Sequence, residues 1–229
     1  MEVIRITVRG TNCYVLRAQG GSLLIDPGPP GGEARIVDFL NRRGITGQEI
    51  RLILVTHAHL DHYGAASNVQ SWSGAPIGCH PESVSLSQDA RQAIPPAQTL
   101  RGSLVRWISL LLAPLRPHPP LRADVILPPG TELGSYGVDG RLVAVPGHSP
   151  DSLALISAEG DAFVGDLIIN YSVPSQPLYQ WNRDAWQQSR RLLASIQPRT
   201  VYVGHGEPFP GQQMDRILPA RYQLGWWIR

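Results

Sequence analysis

Three of the chain's seven histidines fall within six residues, in Thr56-His57-Ala58-His59-Leu60-Asp61-His62. Imidazole and carboxylate are the usual ligands of first-row divalent metals. The cluster ends the continuous apolar run 51–56, of the kind found in strands buried on both faces. In extended backbone His57 and His59 point to one side, while Asp61 and His62 turn the chain toward a second ion. Three further residues sit just past apolar strand-like runs. His148 lies in Pro146-Gly147-His148-Ser149-Pro150-Asp151-Ser152, Asp166 ends Phe163-Val164-Gly165-Asp166, and His205 ends Val201-Tyr202-Val203-Gly204-His205. Each has a glycine beside it, which lets backbone approach a crowded site closely. Singly, each fits a turn or a core; together, four strand–His/Asp junctions point to one shared metal centre.

The elements that must position these groups are legible in outline. Segments 3–7, 13–17 and 22–26 read as short strands joined by Gly-containing turns, which predicts antiparallel pairing. Asp26-Pro27-Gly28 then opens a Gly/Pro loop. Residues 33–43 place Ile36, Val37, Phe39 and Leu40 on one helical face, with Gly44 as the stop. A short helix is expected at 64–72 and a strand at 75–79. Segment 83–122 changes character: Pro95, Pro96, Pro114, Pro117, Pro119 and Pro120 bracket a helical stretch at 104–115, as in an insertion laid over the main body. Strands are expected again at 125–127, 141–145, 153–157, 162–164 and 200–203. A helix is expected at 182–196, with Asn182 as its cap. The pattern is a sheet sandwich flanked by helices, within one domain spanning residues 1–229.

Composition excludes several chemistries. All 20 basic residues are arginine, so a Schiff-base lysine and a P-loop lysine are ruled out. The net charge of +2 offers no field for nucleic acid or an acidic membrane. Cys13 and Cys79 are the only cysteines, too few for a disulfide framework or a cysteine-only metal site. The run 104–115, interrupted by Arg106, is shorter than the roughly 20 residues a membrane span needs. Charges within the first five residues argue against a secretory signal, so a cytoplasmic protein is expected.

Five signatures in this order, Asp26-Pro27-Gly28, the 57–62 cluster, His148, Asp166 and His205, resemble the metallo-β-lactamase superfamily. The resemblance implies an α+β fold, a four-layer αββα sandwich with the site at one edge of the two sheets. It assigns His57, His59 and His148 to a first metal and Asp61, His62 and His205 to a second, with Asp166 bridging. Asp26 would orient a ligand histidine from behind. Asp166, eighteen residues after His148, is similar to the glyoxalase II-like branch, although Asp151 stands where that branch commonly has Gly. Only 24 residues follow His205, too few for the helical glutathione-binding domain of glyoxalase II. The implied activity is hydrolysis of a small acyl substrate, a thioester, ester or lactone. Two divalent ions would activate the water, zinc by default, with iron or manganese also suited. Asp61 would orient the nucleophile and Tyr171 is a candidate to assist the oxyanion. Alternatives are a mononuclear iron oxidoreductase acting on persulfides and a non-catalytic, metal-stabilised binding protein. Trp107, Ile108, Leu111, Leu112 and Leu115 would form a lid over an apolar acyl group, or pack on the body or on a second copy in a homodimer. His80 is expected to be structural, His118 to be solvated among its prolines, and Trp226-Trp227-Ile228 to dock on the body.

Overall fold

The computed structural model describes residues 1–88, 96–97, 100–112 and 119–219. Leu115, His118 and the Trp226-Trp227-Ile228 tail lie outside them. Among these residues eleven strands form two sheets. The first runs in chain order: β1 (Glu2–Val8), β2 (Thr11–Ala18), β3 (Gly21–Ile25), β4 (Ile50–Leu54), β5 (Ile77–Cys79) and β6 (Val125–Ile126). Its first three strands pair antiparallel and the rest parallel. The second holds β7 (Gly140–Ala144), β8 (Leu153–Ser157), β9 (Asp161–Phe163), β10 (Thr200–Tyr202) and β11 (Phe209–Pro210), antiparallel except between β9 and β10. The helices are α1 (Glu33–Arg42), α2 (Leu60–Tyr63), α3 (Ala66–Ser73), α4 (Ser83–Ser87), α5 (Leu100–Leu112) and α6 (Arg183–Ile196). None is long and apolar enough to cross a membrane.

Both faces of each sheet are buried, and the two-residue period of the strands divides the apolar side chains into three layers. Cys13, Val15, Leu24, Ile53 and Ile77 face Ile36 and Leu40 of α1 and Val69 of α3. Their neighbours Tyr14, Leu16, Leu23, Leu52 and Leu54 turn the other way and meet Leu142, Leu153, Leu155 and Phe163 of the second sheet. The far face of that sheet, with Ala154, Ala162 and Val201, packs on Trp186 and Leu193 of α6. This is the four-layer α+β sandwich of the metallo-β-lactamase fold.

Most expected elements appear within a residue or two, with several departures. The helical stretch expected at 104–115 is found at Leu100–Leu112. The helix expected at 64–72 appears as α3, and an unexpected single turn, α2, precedes it. Between them Ala65 N–H reaches Gly28 O at 3.0 Å. Asp26, expected to finish the third strand, has φ +50 and lies beyond it. Edge strand β11 ends on Pro210, a residue that hides strand character yet is tolerated at an edge. Val37, placed on the buried face of α1, is only half-buried. Asn182 caps α6 as expected, its Oδ1 accepting from Asp184 and Ala185 N–H at 3.0 Å.

The described parts of segment 83–122 are tied to the body at several points. Leu121 N–H donates to Ser87 Oγ and Tyr63 hydroxyl to Pro119 O, each at 3.0 Å. Ala97 bridges to Tyr179, and Gln180 N–H donates to Pro96 O at 2.9 Å. On α5, Leu104, Trp107, Ile108 and Leu111 share one helical face and are exposed. Cys13 and Cys79 are buried free thiols.

Phe163 joins the two sheets: its ring stacks on Tyr202 at 4.6 Å and meets Tyr14 edge-on at 5.4 Å. Phe163→Ala is expected to cost about 3–5 kcal/mol. Urea unfolding should show a lower midpoint at an unchanged slope; an unchanged midpoint would contradict this packing role.

Candidate metal centre

Four candidate ligands follow the ends of strands, while Asp61 and His62 lie on α2 with His59 just before it. His57 follows β4, His148 follows β7, Asp166 follows β9 and His205 follows β10. Among the described residues three groups come together where these ends converge: Asp26 with His57 and His62 behind, and two in front of it. His57, His59, His148 and Asp166 offer ligand atoms within 4.8 Å of one another, as do Asp61, His62 and His205. Asp166 lies between the groups: Oδ1 is 3.4 Å from His62 Nε2, and Oδ2 is 3.6 Å from His148 Nε2 and 3.3 Å from His205 Nε2.

Hydrogen bonding decides which ring nitrogens carry protons. His148 Nδ1 faces Tyr179 O at 2.8 Å and His205 Nδ1 faces Gly10 O at 2.9 Å. A carbonyl only accepts, so each Nδ1 donates, and in the neutral ring Nε2 is left with the lone pair. His62 Nδ1 lies 2.9 Å from Asp26 Oδ2, which assigns the same tautomer. Thr56 Oγ1 donates to Asp26 Oδ2 at 2.7 Å, leaving it to accept from His57 Nδ1 at 3.0 Å. His57 Nε2 and His148 Nε2 then both point lone pairs at His59 Nδ1, at 3.0 and 2.9 Å. His59 Nε2, His62 Nε2 and Asp166 Oδ1 are buried without a hydrogen-bond partner. Proton placement satisfies one such contact at the expense of another, whereas a cation satisfies converging lone pairs together. The donor set therefore fits divalent cations, with nitrogen and carboxylate ligands and carbonyl or carboxylate groups orienting the rings from behind.

The charges are distributed unevenly. Burial, reinforced by neighbouring His62, His59 and His148, holds the His57 ring far below its ordinary pKa. Burial and His148 push His59 down to about 3. His62 is equally buried, yet Asp166, Asp61 and Asp26 outweigh that cost and raise it to about 10. His205 is raised in the same way, chiefly against burial by Asp166. Asp61 and Asp166 are lowered despite burial, by His62 and His205. Asp61 is the open edge of the site, its side chain 47% exposed, 3.3 Å from His205 Nε2 and accepting from Thr11 Oγ1 at 3.3 Å.

Close backbone approach is required at two glycines. A Cβ at Gly204 would lie 2.2 Å from Asp166 Oδ1, and one at Gly165, at φ +51, would lie 2.7 Å from Thr56 Oγ1.

A family model described as the metallo-beta-lactamase superfamily matches residues 6–205. The chain belongs to that superfamily. It is 29% identical over 201 residues to a Methanocaldococcus jannaschii protein named "Probable metallo-hydrolase MJ0888", covering 86% of this chain and 88% of that one. It is 26% identical over 211 residues to the "Atrochrysone carboxyl ACP thioesterase" of Aspergillus fumigatus, covering 91% of this chain and 55% of that one. Among solved structures it is similar to TTHA1623 "in a di-iron-bound form", at TM-score 0.67 and 26% identity, covering 95% of this chain and 98% of that one.

All seven metal candidates from the sequence lie in this centre, and Asp26 lies behind it. Tyr171 sits beside it, its ring centroid 6.3 Å from that of His205. His80 lies outside it, where its Nδ1 accepts from Glu82 N–H at 3.2 Å. Sequence reasoning found Asp26, which meets His62 Nδ1, and missed the other orienting groups. Thr56 is a chemically plain neighbour of His57, and the carbonyls of Gly10 and Tyr179 carry no side-chain signal. Asn12, whose amide donates to Val203 O and Gly206 O at 2.9 and 2.7 Å, braces the His205 turn from a distant hairpin.

At neutral pH the rings of the first histidine trio are uncharged, whereas the second group must release the extra protons of His62 and His205 before accepting a cation. Zinc affinity of the second group is therefore expected to rise about tenfold per pH unit per proton displaced, from about pH 6 to about pH 9. Affinity of the first should stay level above about pH 5. Chelator competition across this range reads both steps, and two equally flat profiles would contradict the asymmetry.

Proposed function

We propose that this protein is a dinuclear metallohydrolase that cleaves a small acyl substrate, a thioester, ester or lactone. One observation carries the reading: two ligand groups face each other with the Asp166 carboxylate between them. His57, His59 and His148 would hold the first ion, Asp61, His62 and His205 the second, and Asp166 would reach both. Zinc suits this nitrogen-rich set. When bound, such ions supply Lewis acidity and a nucleophilic water near neutral pH. Asp166 remains ionised at neutral pH, because the neighbouring imidazoles hold it low. Asp61, half exposed, is the carboxylate that water and substrate reach first, which suits it to orient the nucleophile and take its proton. Tyr171 keeps its hydroxyl proton, since burial raises it, and can donate it to the oxygen of the attacked carbonyl. The position of Asp166 after His148 supports the glyoxalase II-like branch, and the similarity to an acyl-carrier thioesterase supports acyl chemistry.

A second reading is a mononuclear iron oxidoreductase that oxidises a persulfide in place of hydrolysis; the di-iron form of TTHA1623 supports only iron as a metal for such a site. Elemental analysis with oxygen uptake on a persulfide separates the two.

Asp166→Ala is expected to lower metal content below two per chain and to cost more than about a hundredfold in turnover across a thioester, ester and lactone panel. Full metal content and full activity in that variant would contradict the shared role. Tyr171→Phe should keep both metals and lose about a hundredfold in kcat; unchanged kcat would remove Tyr171 from the mechanism.

A further inference from the structure

Asp151 is fully buried, and the centre described above does not use it as a ligand. Among the described residues it joins none of the groups able to hold a metal. Its Oδ2 accepts the Ala58 N–H at 2.8 Å and the Ser83 hydroxyl at 2.6 Å. Its Oδ1 is buried without a hydrogen-bond partner. Taking a carboxylate out of water with one oxygen bare is costly. Glycine at this position, as the related branch commonly carries, would avoid that cost.

The placement of the two bonds shows what the carboxylate does. Ala58 lies between His57 and His59, and Asp151 lies three residues after His148. A single oxygen therefore ties the loop carrying two members of the first trio to the loop carrying the third, across 93 residues of chain. None of its hydrogen bonds reaches Asp61, His62 or His205. Ser83, the first residue of α4, adds a second donor and fixes the carboxylate's orientation.

We infer that Asp151 is a positioning residue for the first metal alone, holding His57 and His59 in register with His148. The inference rests on the reading of those three histidines as metal-holding. Its action is geometric: the bonds need an acceptor oxygen at that point and do not need its charge. Asn at position 151 keeps such an oxygen. A backbone bond, Leu153 N–H to Thr56 O at 2.9 Å, also joins the same two segments.

Zinc binding by chelator competition tests this, with the two ligand groups isolated in turn. His205→Ala disables the second group and leaves the first to be read; His148→Ala does the reverse. Adding Asp151→Ala to the His205→Ala protein is expected to weaken zinc binding about 10- to 100-fold. Adding it to the His148→Ala protein should change binding less than about twofold. Asp151→Asn should restore first-group affinity to within a few-fold, and Ser83→Ala should give a smaller loss than Asp151→Ala. Equal losses at both groups, no loss at either, or an Asp151→Asn protein as weak as Asp151→Ala would overturn the role. If the parent binds two zinc ions and Asp151→Ala changes nothing, this role alone falls. A parent that binds no zinc overturns the function proposed above and this role with it.

Discussion

Two unprotonated ring nitrogens that converge on a third about 3 Å away cannot both be satisfied by one proton, and burial withholds the water that would serve the other. In this protein His57 Nε2 and His148 Nε2 converge in this way on His59 Nδ1. Each outer ring is turned inward by an acceptor behind it, Thr56 Oγ1 for His57 and Tyr179 O for His148. The same device turns His62 through Asp26 and His205 through Gly10 O. The arrangement persists because the sandwich over-determines it, and its internal conflict is what suits it to cations.

Holding the rings there is the work of strands whose both faces are buried. β4, β9 and β10 cannot shift by one residue without exchanging the apolar sets of two core layers. That constraint transmits to the residues just past each strand end, where the ligands sit. Asp26 adds a local constraint: its carboxylate gathers Thr56 N–H, the Thr56 hydroxyl and His62 from a backbone conformation with positive φ. Strain of this kind is retained where surrounding bonds enforce it.

The centre is also asymmetric. The first trio is rich in nitrogen, buried and proton-repelling, while the second is drawn toward protons by three carboxylates and opens to solvent at Asp61. A reacting molecule meets the second group first. The loop 170–181, which carries Tyr171 and the Tyr179 carbonyl, also pairs with residues 96–97 below α5. Changes in the inserted segment are thereby coupled by backbone to the orientation of His148.

The ligands were readable from residue order because histidine and aspartate are chemically distinctive and each ends an apolar run of strand length. The layers were readable in part, since a strand buried on both faces carries a continuous apolar run. The division into two ligand groups came only through family resemblance, because nothing in the spacing of His148, Asp166 and His205 tells which imidazole faces which. The single turn α2 escaped detection, since four residues carry no helical period and a long-range bond from Ala65 N–H to Gly28 O sets it apart from α3. So did edge strand β11, masked by its proline. Chemistry that resides in side-chain identity and local period is written along the chain. The orienting carbonyls, the bridging place of Asp166 and the clamp at Asp151 depend on contacts between segments far apart in sequence, and only the packing of the two sheets decided them.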